Sequence, residues 1–269
     1  MIDVLISTRN DNTKQILDTL QNLDGLEKEI NFNILLVNDS SKQLNLSKLS
    51  TNLKSRINLI KTPKRKGLAY ALNYGASFGK SDYIARLDQG DLTDKKRFAS
   101  QVEELNKNKK LAFVGLKSKL NYLGNKSIIK YSEVSPGPLS TKQLKNLLVK
   151  KNPLVHGSIM LRRSYFQELG GYDEDFLLAQ DYELYLRFIK NSYDGKILDG
   201  FFHSHNFAKT SSTIMNNRKS RFYGIKARLK NFRVRDFFNI FSTAFILKDI
   251  FLLLIPNKLI QLSKRLKHA

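Results

Sequence analysis

The sequence predicts an α/β fold, with a Rossmann-like, mainly parallel central sheet flanked by helices on both faces. Three observations carry this. Apolar runs of four to six residues alternate with amphipathic stretches through the first half of the chain, the rhythm of βαβ units. Polar clusters of Ser, Thr, Asn, Asp and Lys follow the apolar runs directly, as expected where strands end at a ligand-binding edge. The chain is 41% hydrophobic and 26% charged over 269 residues, which is enough to bury a sizeable core.

Taken in order, Ile2–Ser7 reads as a strand and Thr13–Leu23 as a helix with Ile16, Leu17, Leu20 and Leu23 on one side. Phe32–Val37 is a second strand, closed by the turn chemistry of Asn38-Asp39-Ser40-Ser41. Ile57–Ile60 is a short third strand, Gly67–Phe78 a helix and Tyr83–Leu87 a fourth strand. Asp94–Asn106 is helical and Leu111–Leu116 a fifth strand. Beyond 117 the rhythm loosens. Ser118–Tyr131, turning at Gly124-Asn125, predicts a hairpin insertion, and Ser135-Pro136-Gly137-Pro138 a loop. Thr141–Lys150 predicts a helix, Gly157–Arg162 a strand, Gln180–Lys190 a helix and Lys196–Phe202 a strand. Polar residues 208–217 divide a domain of residues 1–214 from a basic extension of residues 215–269.

Net charge is +22, which calls for an anionic partner: nucleic acid, a membrane surface or a nucleotide-linked substrate. Residues 215–269 hold thirteen Lys and Arg against two Asp, so half the excess charge lies in the last fifth of the chain. No zinc-ligand cluster or RNA-recognition signature accompanies it, and nucleic acid is not expected as a partner. Cysteine is absent, which excludes disulfides and thiolate metal sites and fits a cytoplasmic chain. Residues 1–20 carry Asp3, Arg9, Asp11, Lys14 and Asp18 with no basic stretch leading into an apolar one, so no signal peptide is expected.

In a parallel sheet the clusters Ser7-Thr8-Arg9-Asn10, Asn38-Asp39, Lys61 through Lys66, and Asp88-Gln89-Gly90-Asp91 fall along one edge. Hydroxyls and carboxylates there can read a base and ribose. Basic groups beside the helix start at Gly67 can face phosphate. Asp88 and Asp91, flanking a flexible Gly, are oxygen ligands suited to a hard divalent cation.

These residues carry a resemblance. Ser7–Asn10, Val37-Asn38-Asp39-Ser40-Ser41, Gly67-Leu68-Ala69 through Asn73-Tyr74-Gly75, and Arg86-Leu87-Asp88-Gln89-Gly90-Asp91 stand in the order and spacing of family 2 inverting glycosyltransferases. Downstream, His156-Gly157-Ser158, Glu168-Leu169-Gly170-Gly171-Tyr172-Asp173-Glu174, Gln180-Asp181-Tyr182-Glu183-Leu184 and Arg187 resemble its acceptor-side pattern. The resemblance covers roughly residues 1–207 and implies a GT-A fold, a nucleotide-sugar donor and Mg²⁺ or Mn²⁺. It implies donor contacts from Thr8, Asn10, Asp39, Lys66, Asn73 and Asp88. It implies a cation held by Asp88, Asp91 and His205, although Gly90 stands where the family's usual metal-binding Asp does. His156 and Gln180 would face the acceptor. Asp181 would be the catalytic base, because inverting displacement needs a base on the face opposite the leaving diphosphate and a helix N-terminus keeps a carboxylate ionised.

In the tail, Phe222, Ile225, Leu229 and Phe232 recur at helical spacing among basic residues, and Phe237–Ile255 is strongly apolar but interrupted by Lys248 and Asp249. Thirteen Phe, Ile and Leu at about −0.3 to −0.6 kcal/mol each are offset by two charges at about +2.5 to +3.5 each. A segment that breaks even is expected to lie in the interface of an anionic membrane rather than cross it. The expectation is a cytoplasmic enzyme, peripheral on the inner face of the membrane, that glycosylates a glycan or lipid-linked acceptor. The alternatives are a nucleotidyltransferase and a non-catalytic sugar- or nucleic-acid-binding protein.

Overall fold

The computed structural model describes residues 1–9, 13–26, 30–41, 43–123, 128–133, 136–207, 217–232 and 240–255. Strands β1 (Ile2–Thr8), β2 (Phe32–Asn38), β3 (Ile57–Lys61) and β4 (Tyr83–Arg86) alternate with helices α1 (Thr13–Asp24), α2 (Thr51–Ser55) and α3 (Leu68–Ala76). There follow β5 (Leu92–Thr93), α4 (Lys95–Lys107), β6 (Leu111–Leu123), β7 (Ile128–Glu133) and α5 (Thr141–Leu148). A single 3₁₀ turn, His156–Ser158, leads into β8 (Met160–Arg162), α6 (Arg163–Glu168), α7 (Gln180–Lys190) and β9 (Asp194–Phe207). The tail contributes α8 (Asn217–Asn231) and α9 (Ile240–Leu254). Asn10, the 124–125 turn, the 208–216 boundary and everything past 255 lie outside the described residues.

The strand order is β3-β2-β1-β4-β8-β6-β9-β5, with β7 paired to β6. The first four strands are all parallel, as the alternating pattern predicts. Their registers, Thr8 opposite Asn38 and Asn38 opposite Lys61, put the carboxyl ends side by side on one edge. The other half is mixed. β8 runs antiparallel to both β4 and β6, β9 runs parallel to β6, and β5 antiparallel to β9. The reversed β8 has a consequence for the site: it begins at the carboxyl edge of β4, so the His156–Ser158 turn is delivered there.

Alternation along the strands loads both faces. Val4, Ile6, Ile34 and Leu36 join one buried cluster with Ile16 and Leu20 of α1 and Phe98 and Leu105 of α4. Leu5, Leu35 and Val37 join the other, with Ala71 and Leu72 of α3, Leu144 of α5 and Leu184 and Phe188 of α7. Each fully buried large apolar side chain contributes about 1.5–3 kcal/mol. α3 lies close on the sheet because Gly75 faces it, where a Cβ would sit 2.2 Å from Val37 Cγ2. At the amino end of the sheet, Arg163 Nη2 pairs with Asp3 Oδ2 at 2.5 Å, and Ser81 donates to Asp3 Oδ1 at 2.8 Å. The partly buried charges at that end are thus internally satisfied, leaving the chemistry to the opposite edge.

Candidate active site

The carboxyl edge of the parallel strands is assembled by backbone pairing. Thr8 closes β1 and is buried. Its Oγ1 donates to Gln89 Oε1 at 2.6 Å, which ties the β1 end to the Asp88–Asp91 turn. Asp39 follows β2; its amide donates to Thr8 O at 2.8 Å, and its Oδ1 accepts from Thr62 Oγ1 at 2.6 Å. Arg65 arches over this corner, Nε donating to Asp39 O at 2.9 Å and Nη2 to Arg9 O at 3.4 Å. Lys66 is exposed, with Nζ 5.2 Å from the centroid of the Tyr70 ring at the start of α3.

The acidic turn is more internally committed than its sequence suggests. Asp91 N donates to Asp88 O at 3.1 Å, and Gly90 sits at φ +92°, a region that disfavours any side chain. Asp88 is ion-paired with Arg86, a cation that is itself almost fully buried and donates to Leu5 O at 2.8 Å. The Asp91 carboxylate is wholly buried. Its Oδ2 accepts from His203 Nε2 at 2.9 Å, and His203 Nδ1 lies 3.0 Å from Ser118 Oγ. Gly157 packs against this pair, and a Cβ there would fall 2.1 Å from Asp91 Oδ2. Behind the turn, Arg97 donates Nη2 to Arg86 O at 2.6 Å. Burial lowers its pKa to about 9, with Asp91 opposing the shift, so it remains a cation at neutral pH.

The fit of a divalent cation can be judged from these contacts. Asp88 offers a partly open carboxylate, Asp91 is committed to His203 and the Asp88 amide, and Gly90 offers no ligand. The side chain of His205 lies outside the described residues. Among the described residues no group of three His, Cys, Asp or Glu could enclose a metal ion. The described donor set therefore falls short of a cation site.

A second group of polar side chains is positioned by α7 and the segment before it. Asp181 lies in the first turn of α7, whose cap, Ala179, adopts a left-handed φ of 56°. Asn152 Nδ2 donates to Asp181 Oδ2 at 2.8 Å and fixes the carboxylate. Gln180 is buried beside it. Asn73, in α3, bonds the downstream segment rather than the strand ends: its Nδ2 donates to Tyr172 O and its Oδ1 accepts from Tyr172 N, both at 2.8 Å. His156 Nε2 lies 2.8 Å from the Tyr172 hydroxyl. Burial holds the His156 pKa below its ordinary 6.5; Arg86 adds to this, while Asp181, Asp88 and Asp91 oppose it. The imidazole is thus neutral at pH 7 and serves as a hydrogen-bonding group. Tyr185 places in the same surroundings a buried hydroxyl that has no partner among the described residues, its pKa raised first by burial and then by Asp181 and Tyr172.

The fold thus brings Thr8, Asp39 and Asp88 to one edge, and His156 into the electrostatic reach of Asp88, Asp91 and Asp181. Sequence reasoning missed Arg86, Asn152 and Tyr185 as site residues and preferred His205 to His203.

A family model for glycosyl transferase family 2 matches residues 3–170. The chain belongs to this family. It is 25% identical over 237 residues to an uncharacterised glycosyltransferase of Methanocaldococcus jannaschii, covering 86% of this chain and 80% of that one. It is 27% identical over 200 residues to the amylovoran biosynthesis glycosyltransferase AmsE of Erwinia amylovora, covering 70% and 69%. Among solved structures it resembles residues 1–349 of S. aureus TarS in complex with UDP, at a TM-score of 0.58 and 12% identity. That match covers 84% of this chain and spans 64% of the TarS chain. The family 2 glycosyltransferase described here has the GT-A fold, and its mixed half-sheet is part of that architecture.

Proposed function

We propose that this glycosyltransferase moves a sugar from a nucleoside diphosphate to an acceptor hydroxyl with inversion at the anomeric carbon, in the assembly of a polysaccharide or lipid-linked glycan. The observation that carries this reading is Asp181: a half-buried carboxylate at a helix N-terminus, held by Asn152 at 2.8 Å, and sharing its electrostatic surroundings with Asp88 of the donor edge. The acceptor oxygen attacks the anomeric carbon and the bond from that carbon to the diphosphate oxygen breaks. The nucleoside diphosphate leaves with the electron pair, and Asp181 takes the acceptor's proton.

Thr8 and Asp39 are assigned to the nucleoside. The diphosphate charge is assigned to Lys64, Arg65 and Lys66 and to the N-terminus of α3, where unsatisfied amides favour anions. UDP in the TarS complex supports the donor class, and amylovoran biosynthesis in the name of AmsE supports a biosynthetic glycan product. Asn73 and the His156–Tyr172 pair hold the acceptor segment against the donor half. The tail suggests an acceptor presented at a membrane.

A panel of nucleotide sugars tested for thermal stabilisation checks the donor assignment. A matching donor at a hundred times its Kd is expected to stabilise the fold by about 2.7 kcal/mol, a shift of several degrees. Absence of any shift across the panel at saturating concentration contradicts donor binding.

A further inference from the structure

The tail helices turn one face inward and leave another open. Ile225, Phe232 and Ile246 form a small buried cluster with Val149 and Leu253. Asp249, which in the sequence interrupts an apolar run, is directed at α8: Arg228 pairs with its Oδ2, and Arg221 Nε lies 4.0 Å from its Oδ1. Arg221 Nη1 also donates to Leu252 O at 3.1 Å, and Arg218 to Leu253 O. With its acid neutralised on the inner side, α9 presents Leu247, Ile250, Phe251 and Leu254 outward at 60, 38, 62 and 75% exposure. Their spacing of three, four and seven residues places them on one stripe. Phe222 and Leu229 of α8 are exposed as well. Contiguous exposed apolar surface of this kind marks a contact site.

We propose that this outer stripe of α9 rests in the headgroup–acyl boundary of an anionic bilayer, on the cytoplasmic side. This deepens the membrane-proximal acceptor reading above and rests on it. Charge decides the occupant. Residues 215–269 carry thirteen Lys and Arg against two Asp, so a second copy would bring like charge against like, and nucleic acid has no use for the apolar stripe. An anionic lipid surface satisfies both features. At about 1.5 Å per residue the helix is too short for a hydrocarbon core of about 30 Å. Among the described residues no helix is long and apolar enough to cross a membrane.

The same helices grip the acceptor side. Lys230 pairs with Asp173, and Lys226 Nζ donates to Asp175 O at 3.3 Å and lies 4.6 Å from the centroid of the Phe176 ring. Asn231 donates to Glu183 Oε1 at 3.3 Å. α8 therefore connects the bilayer-facing helix to the segment that leads into Asp181, so a chain seated on a membrane holds its acceptor wall against that surface.

The test is flotation of the full chain with phosphatidylcholine vesicles, with and without phosphatidylglycerol, comparing wild type with Leu247→Ser/Phe251→Ser/Leu254→Ser. These side chains are exposed, so melting temperature and stabilisation by nucleotide sugar are expected to match wild type, which separates this claim from the donor reading. Wild type is expected to float with anionic vesicles and at least tenfold less with neutral ones, and the variant to lose at least tenfold of that binding. Equal flotation of variant and wild type overturns the proposal, as does a wild type that does not float. A wild-type dimer that the triple substitution converts to monomer assigns the stripe to a second copy and also overturns it.

Discussion

Asp181→Asn is expected to lower kcat by about 10²–10⁴, the range supplied by a positioned general base, while nucleotide-sugar stabilisation stays at the wild-type level. The amide keeps the size of the carboxylate and can still accept the Asn152 hydrogen bond through its oxygen, so the fold around α7 is preserved. It has no basic oxygen to take the acceptor proton. Donor affinity is untouched because Thr8, Asp39 and the 61–66 loop sit on strand ends, whereas Asp181 enters from α7. Asn152→Ala provides the companion measurement. Losing a hydrogen bond to a charged group costs about 1.5–3 kcal/mol, so kcat should fall roughly tenfold or more with the donor response unchanged. A parallel loss of donor binding in either variant would mean that α7 braces the donor pocket and does not supply the base.

His203→Leu is expected to destabilise the fold by about 3 kcal/mol, the upper end of the range for losing a hydrogen bond to a charged group. Asp91 would keep its carboxylate in a fully buried place without the 2.9 Å contact from His203 Nε2. Arg97 offsets part of the loss, since its charge interacts with Asp91. For a chain of this size the melting temperature should drop roughly 6–12 °C. Asp91→Asn, which removes the charge along with its need for compensation, should cost less. If the two substitutions cost the same, the buried charge of Asp91 is not what His203 offsets. A melting temperature unchanged by His203→Leu would show that the Asp88–Asp91 turn is held without it.

Much of the donor half was legible in the sequence because its signals are local. Near-continuous apolar runs along Ile2–Thr8 and Phe32–Asn38, buried on both faces and closed by Ser, Thr, Asn and Asp, identify both a strand and the end that faces a ligand. The acidic turn was legible as an element but not as an environment. Arg86 reads as one more residue of a strand, and only the fold shows that its charge is buried beside Asp88. The Asp91, Ser118 and His203 trio is separated by 85 and 112 positions along the chain, so no spacing announces it. The direction of β8 was equally hidden, since the three residues Met160–Arg162 read alike in either orientation. Asp249 shows the limit of summed hydropathy. Counted as a charge in an apolar run it argues only against a membrane span, whereas its pairing with Arg228 turns it inward and leaves the apolar stripe outside.

The central claim is inverting sugar transfer from a nucleoside diphosphate with Asp181 as the base. The most direct measurement is NMR of the new glycosidic linkage formed from a donor of known anomeric configuration. An α-linked donor is predicted to give a β-linked product, one equivalent of nucleoside diphosphate per linkage, and product formed about 10²–10⁴ times more slowly by Asp181→Asn. A product that keeps the donor's configuration, or product formation at the wild-type rate by Asp181→Asn, would contradict it.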